Sequence, residues 1–360
     1  MKEIRSLIGF LGKIEGLPIA FVLLALYIVF GFTAPRVFTG HRIYMSFLQT
    51  VPPVLVCALG LTFVITAGEI DLSFPAVVAL SGFAFAYTFK NLDSPLAPWI
   101  GLVLALAVGA MIGYINGIMI ARIGVPSIMA TLAAQYFWYG VTILLAGGLQ
   151  LDLSDIKDNA IHEVFTGRIG GYIPAQAIWA LGLAVFLWFI LNRHQFGESI
   201  MFIGDNVDVA RVMGINVEAT RIRLFTMMGV IAAFAGVLLT IEINVFFPTQ
   251  GQGYLLPALA AVFIGGTSIA GGAGTIVGTF FGAYIIGSLE AGVVASRISG
   301  YWVQLIQGVV MAAVVILNIV IEEGNIGKLS GRMRHWAGSN NNSYLSDKPK
   351  NDDYFTDDST

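Results

Sequence analysis

The chain has a single cysteine, Cys57, so no internal disulfide is possible, and this residue sits inside an apolar run. Charge is scarce as well: 11% of residues are Asp, Glu, Lys or Arg, where a soluble domain carries roughly a quarter. The formal net charge of −3 provides no basic surface, and no nucleic-acid partner is expected. The four histidines, His41, His162, His194 and His335, are scattered without metal-ligand spacing, so no metal site is expected. Two Gly-Lys pairs end in Ile14 and Leu329, where a phosphate-binding loop needs Ser or Thr. No Ser, His and acid set falls at a shared depth. The chain therefore reads as a non-enzyme that binds no cofactor, and any use of ATP and Mg falls to a partner subunit. The acids nearest the apolar stretches are Glu69, Asp71, Glu242 and Glu290. So few ionisable groups weigh against an ion-coupled carrier with a relay at mid-depth.

Apolar residues are what the chain has in excess, at 57% of the total. They fall in runs of about 20, long enough to cross a bilayer as helices. A β-barrel would alternate apolar and polar residues instead. The expected fold is an all-α polytopic membrane protein of about ten transmembrane helices. Their centres lie near residues 24, 56, 81, 109, 137, 182, 234, 263, 285 and 311. The first run, Leu17 to Phe32, lacks a small-residue cleavage site and reads as a retained helix. With the termini inside, inner segments hold thirteen Lys and Arg and outer segments six. That asymmetry places both termini in the cytoplasm, despite Arg36 and Arg42 in the first outer loop. Residues 1–321 form the membrane domain. Residues 322–360 form a cytoplasmic tail, and its polar stretch from Ser339 to Thr360 is expected to be disordered.

Two stretches resemble each other at an offset of 200 residues. Ala58, Leu59, Phe63, Val77 and Gly82 match Ala258, Leu259, Phe263, Val277 and Gly282. Each is an apolar run, a short loop and a second apolar run. The copies start five spans apart, and an odd shift gives the two halves opposite topology. Their loops, 68–73 and 271–274, should then lie toward the cytoplasmic side. Gly101, Ala105, Gly109, Gly113, Gly117 and Ala121 recur every four residues, as do Gly274, Gly278 and Gly282. Such stripes let helices approach closely. Pro52 and Pro53 should bend or break the second span.

The first repeat loop reads Thr66-Ala-Gly-Glu-Ile-Asp-Leu-Ser-Phe-Pro75. Asp71 or Ser73 can cap the following helix, with Pro75 in its first turn. Alternatively, Glu69 and Asp71 face a polar path. The inner loop 192–223 is the longest cytoplasmic segment before the tail. Within it Asn206 can cap a short helix, Asp208 suits its first turn and Gly214 can end it. Val209, Val212 and Met213 then share one face. A helix of two turns is not stable alone and needs a surface to lie on, either its own bundle or a partner. Polar or aromatic groups on apolar spans are Gln49, Asn116, Thr131, Gln135, Trp138, Asn244, Gln304 and Gln307. Amides and ring faces suit a neutral polyhydroxyl ligand, although Asn116 serves equally well between helices.

The stretch Asp208-Val-Ala210-Arg-Val-Met-Gly214 resembles the coupling helix of ABC importer permeases, whose signature is Glu-Ala-Ala, three residues, then Gly. Ala210 and Gly214 match; Asp208 and Val209 are substitutions. From about residue 43 to 321 the chain resembles the ribose-type branch of these permeases. The matching stretches are 68–73, Asn116 to Arg122 with Val125-Pro126 and Ala130-Thr131-Leu132, Phe196 through Asn216, and Ile264 to Gly272. It departs where the family often has Gly, at Glu69, and Val-Gly, at Phe74-Pro75.

This resemblance implies a bacterial inner-membrane permease subunit that translocates a simple, ribose-like sugar. The implied partners are a second permease copy or paralogue, ATP-binding-cassette ATPase subunits, and an extracytoplasmic binding protein that delivers substrate. Asn206, Asp208, Val209, Ala210, Arg211, Val212, Met213 and Gly214 would form the ATPase-coupling surface. Arg211 would be an ion-pair donor to that partner. Glu69, Asp71, Ser73, Asn116, Thr131, Gln135 and Asn244 are candidates for the substrate path or gate. Nucleoside and branched-chain amino-acid permeases share this architecture. A stand-alone secondary carrier and a non-transporting scaffold are the readings from other classes.

Overall fold

Long apolar stretches free of internal proline fold as helices, since a helix satisfies its own backbone where water is absent. The computed structural model describes residues 15–303, 305–310, 312 and 316. The tail 322–360, Gln304 and residue 311 at the centre of the tenth expected span lie outside the described residues. The described residues from 15 to 310 belong to one compact unit. In chain order its helices are α1 (Leu17–Thr33), a short turn of helix Pro35–Phe38, α2 (His41–Thr50), α3 (Pro52–Thr66), α4 (Phe74–Asn91), α5 (Ala97–Ala121) and α6 (Ser127–Ala146). There follow α7 (Ala160–Thr166), α8 (Ala175–Arg193), α9 (Gln195–Asp205), α10 (Val207–Val212), α11 (Val217–Ile243), α12 (Leu255–Ile264) and α13 (Ile276–Ala295).

Five of these, α5, α6, α8, α11 and α13, are long and apolar enough to cross a membrane. A sixth span results if α2 and α3 count as one. That pair is bent by 51° at Val51, with Pro52 and Pro53 opening α3. The expected bend is therefore present, because proline fits the first turn of a helix and not its interior. The remaining expected centres near 24, 81 and 263 fall on α1, α4 and α12, which do not meet the length and hydropathy criteria for a full span.

The centre of the unit is α11, which packs against α3, α4 and α5. The α5–α11 crossing rests on the glycine stripe. A methyl group at Gly109 would strike the Gly229 carbonyl, and one at Gly113 the Phe225 carbonyl. At Gly117 it would sit 2.8 Å from the Ile222 Cα. Gly229 in turn faces the Gly109 carbonyl, so the two backbones touch. The second stripe works differently: Gly278 and Gly282 lie against the carbonyls of Gly265 and Ala261, at the end of α12. Both stripes are packing devices.

The segment 147–174, rich in polar residues, is folded. Leu151–Asp152 pairs antiparallel with Val245–Phe246, just beyond α11, and Arg168–Ile169 pairs with Ile173–Pro174. Leu153, Ile156 and Ile161 are fully buried beneath it. Lys90 reaches Asp155 at 2.9 Å across this end.

Replacing Gly113 with Leu should destabilise the bundle by about 1–3 kcal/mol or more through overpacking. Gly140→Leu should have little effect, since a methyl there meets no atom within 4 Å. Thermal unfolding of the detergent-solubilised variants distinguishes the two outcomes.

Candidate functional site

The chain between α3 and α4 leaves helical geometry at residues 67–73, and its backbone needs partners there. Glu69 N donates to the Val64 carbonyl. Ile70 N donates to Ser127 Oγ at 3.2 Å, and Leu72 N to Thr131 Oγ1 at 3.0 Å. These two hydroxyls, one turn apart at the start of α6, hold the loop as a strand partner would. Asp71 accepts from Ser73 N at 2.7 Å and from Ser73 Oγ at 2.6 Å. Asn116 Nδ2, on α5, donates to Ser73 Oγ at 2.8 Å. Asp71, Ser73, Asn116 and Thr131 are all buried. Ser73 occupies the cap position of α4, but its hydroxyl does not cap the helix; it bridges Asn116 and Asp71 instead. The Asn116 Oδ1 atom has no hydrogen-bond partner among the described residues.

Glu69 has a partner outside this group. Its carboxylate meets Arg221 Nη2 on α11 at 2.8 Å, and the glutamate is only 7% exposed.

The second broken segment, residues 265–275, meets the first. Gly272 N donates to the Thr66 carbonyl at 2.8 Å. Thr62 Oγ1 lies 2.9 Å from Thr279 Oγ1. Between the loops sits Gly204, near the end of α9. A methyl on it would strike the Thr66 carbonyl and approach Gly272 N to 2.5 Å. Only glycine allows three backbones to come this close. The two repeat loops and the helix that leads into α10 thus share one junction.

Two residues further, Asn206 turns the chain into α10. Its Oδ1 accepts from Asp208 N at 2.9 Å and Val209 N at 3.1 Å, the cap expected from the sequence. Asp208 lies in the first turn, and Gly214 follows the helix with φ of 84°. Ala210 is fully buried and packs with Ile203 and Val217, which fixes the inner face of α10. Val209, Val212 and Met213 are 49%, 89% and 56% exposed. Arg211 pairs with Asp208 of its own helix at 3.1 Å. This exposed pair has little energetic weight.

Glu69, Asp71, Ser73, Asn116 and Thr131 are therefore brought together, through the loop and its supports. Gln135 lies one turn beyond Thr131 on α6, partly buried, with its Oε1 unpartnered among the described residues. Asn244 is elsewhere. It ends α11 in a left-handed conformation at the opposite end of the helix from Arg221, where its carbonyl accepts from Leu153 N. There it neighbours Glu242, which accepts from Gln49 Nε2 at 2.5 Å. Ser127, Gly204 and Arg221 were not singled out by their sequence. Ser127 carried a signal, since a Ser and a Thr four residues apart fall on one helix face.

The family model described as branched-chain amino acid transport system / permease component matches residues 43–315. The chain belongs to this family. It is a permease component with several apolar helices. It is similar to the ribose import permease protein of Escherichia coli (strain K12), at 33% identity over 303 residues, which is 83% of this chain and 91% of the relative. The ribose import permease protein of Bacillus subtilis (strain 168) is 34% identical over 264 residues, 72% of this chain and 80% of the relative. The fructose import permease protein of Rhizobium meliloti is 31% identical over 305 residues, 81% and 83% of the two chains. No solved structure matches the chain.

Asn206→Ala should cost about 1 kcal/mol of local stability through loss of the cap. Amide exchange at Asp208 and Val209 should speed up by roughly fivefold. Exchange across the α5–α11 core should stay unchanged. Hydrogen-exchange mass spectrometry reads both regions at once.

Proposed function

We propose that the chain is the membrane-spanning subunit of an ATP-binding-cassette importer in the bacterial inner membrane, and that it translocates a simple sugar of the ribose type. Family membership supports the class. The sugar is supported by the relatives, which are ribose and fructose import permeases by name. Two ATPase subunits supply hydrolysis, a second permease copy or paralogue completes the pathway, and an extracytoplasmic binding protein delivers the substrate. This chain itself hydrolyses nothing.

The observation that carries the reading is α10. Exposed apolar side chains on α5, α6 or α8 have a bilayer to face. Val212 and Met213 do not, because their helix also presents Asp208 and Arg211 to water. A capped, two-turn helix with its inner face anchored and its outer face apolar fits a groove on a protein partner. Asn206 to Gly214 is then the coupling surface. Arg211 is available to a partner acid at the expense of its weak pair with Asp208.

The junction at Gly204 supplies the transmission. Displacement of α10 reaches α9, and Gly204 of α9 abuts both repeat loops. Loop 67–73, with Glu69, Asp71, Ser73, Asn116 and Thr131, acts as the gate; the glycine-rich loop 265–275 acts as the packed bearing. Gln135 extends the path along α6, and Asn244 belongs to its outer end. In this reading α10 and both termini are cytoplasmic, and segment 147–174 faces outward. The chain has ten spans in two inverted halves, with α3–loop–α4 and α12–loop–α13 as equivalent broken units. Their closely similar placement at an offset of 200 residues supports this arrangement.

Val212→Asp with Met213→Asp should abolish solute uptake and release the ATPase subunit from detergent-solubilised complexes, while thermal unfolding of the permease stays near that of the unmodified chain. Retention of the ATPase with normal uptake would overturn the assignment of α10.

A further inference from the structure

The first repeat loop touches the cytoplasmic half of the molecule by a second route, one that does not pass through Gly204. Whereas Asp71 bonds to Ser73 within the loop, Glu69 forms an ion pair with Arg221 outside it. Arg221 stands in the second turn of α11, eight residues after Met213. The intervening chain is stiff: Gly214 N and Ile215 N close the end of α10, and Asn216 caps α11 through Ala219 N at 2.9 Å. Arg221 also lines a cavity of about 340 Å³ with Arg211, Asn216 and Glu218, at the turn between α10 and α11. Its Nε is buried and lacks a partner among the described residues, so the guanidinium is held by Glu69 on one edge only. Of the other charged groups here, Arg211 pairs with Asp208 and Glu218 with Arg122.

A pure packing role would call for an apolar pair at this site, since a buried ion pair costs desolvation that close packing does not. A charge pair has a property that packing lacks. It tolerates sliding while still resisting separation, and the Nε–H of Arg221 is a second donor that can take a carboxylate oxygen. We infer that Glu69 and Arg221 form a positioning latch that couples the coupling segment to the gate loop, with the adjoining cavity, free of other side chains, giving Arg221 room to shift while it holds Glu69. This inference rests on the transport reading above, and it makes Glu69 a transmission residue whose carboxylate is turned from the substrate path.

The test uses the full chain with its native partner subunits in membrane vesicles. Cys57 is fully buried and is replaced by Ala to remove background. Ile70→Cys then places a single thiol on the gate loop. Its rate of maleimide labelling is measured with and without Mg-ATP plus vanadate, and azido-ATP photolabelling identifies the ATPase subunit that co-purifies. The labelling rate should change roughly tenfold on addition of nucleotide. Glu69→Gln and Arg221→Gln should each abolish that change while the ATPase subunit still co-purifies. The exchanged pair, Glu69→Arg with Arg221→Glu, should restore part of it. A nucleotide response that persists in either single variant overturns the latch, as does a loop that never responds although the ATPase is bound. If no azido-ATP-labelled subunit co-purifies with the unmodified chain, the importer reading fails instead.

Discussion

Backbone that leaves helical geometry inside an apolar bundle must find a partner for every N–H and C=O it frees. This molecule does so twice, at residues 67–73 and 265–275. Much else in the structure follows from how those groups are satisfied. Ser127 and Thr131 must stand at the first turns of α6 to receive Ile70 N and Leu72 N. Thr66 must keep its carbonyl free for Gly272 N, which brings the two loops together. Thr267 Oγ1 must accept from Thr275 N, and Ser268 N must find the Ala273 carbonyl. Breaks cross-bonded in this way are tied to α6, to α3 and to each other.

The packing around these breaks shows two uses of small residues. Between α5 and α11, glycine permits two long helices to touch backbone to backbone, so the pair behaves as a single thick element. At Gly204 the same absence of a side chain admits three segments from distant parts of the chain. The first contact joins two helices along their length, and the second joins three segments at one point. Both depend on van der Waals contact, which falls away within an ångström of separation.

The apolar runs were legible because hydropathy is local, and α5, α6, α8, α11 and α13 fall where they were expected. The break at Pro52 and Pro53, the α5 stripe and the Asn206 cap were legible for the same reason: each is settled within a turn or two of its own residues. What could not be read is long-range. Glu69 meets Arg221 across some 150 residues of chain, and nothing in either neighbourhood marks the other. Ser73 fitted the pattern of a helix cap, yet Asn116 and Asp71 claim its hydroxyl in three dimensions. Asn244 was grouped with Asn116 by residue type, since composition alone carries no measure of depth along a helix. The fold of segment 147–174 has no periodic signature, because its buried residues Leu153, Ile156 and Ile161 are few and widely spaced.

That segment has a consequence for how the molecule is made. Leu151 and Asp152 pair with Phe246 and Val245, which leave the ribosome about ninety residues later. At ordinary rates of synthesis the wait lasts roughly 5–20 s. Throughout it α11 has not yet been inserted, and the surface that later receives Leu153, Ile156 and Ile161 does not exist. The newborn chain therefore carries an unpaired strand and uncovered apolar side chains until the central helix arrives to close over them. Its maturation depends on the order of arrival of its parts as much as on their final fit.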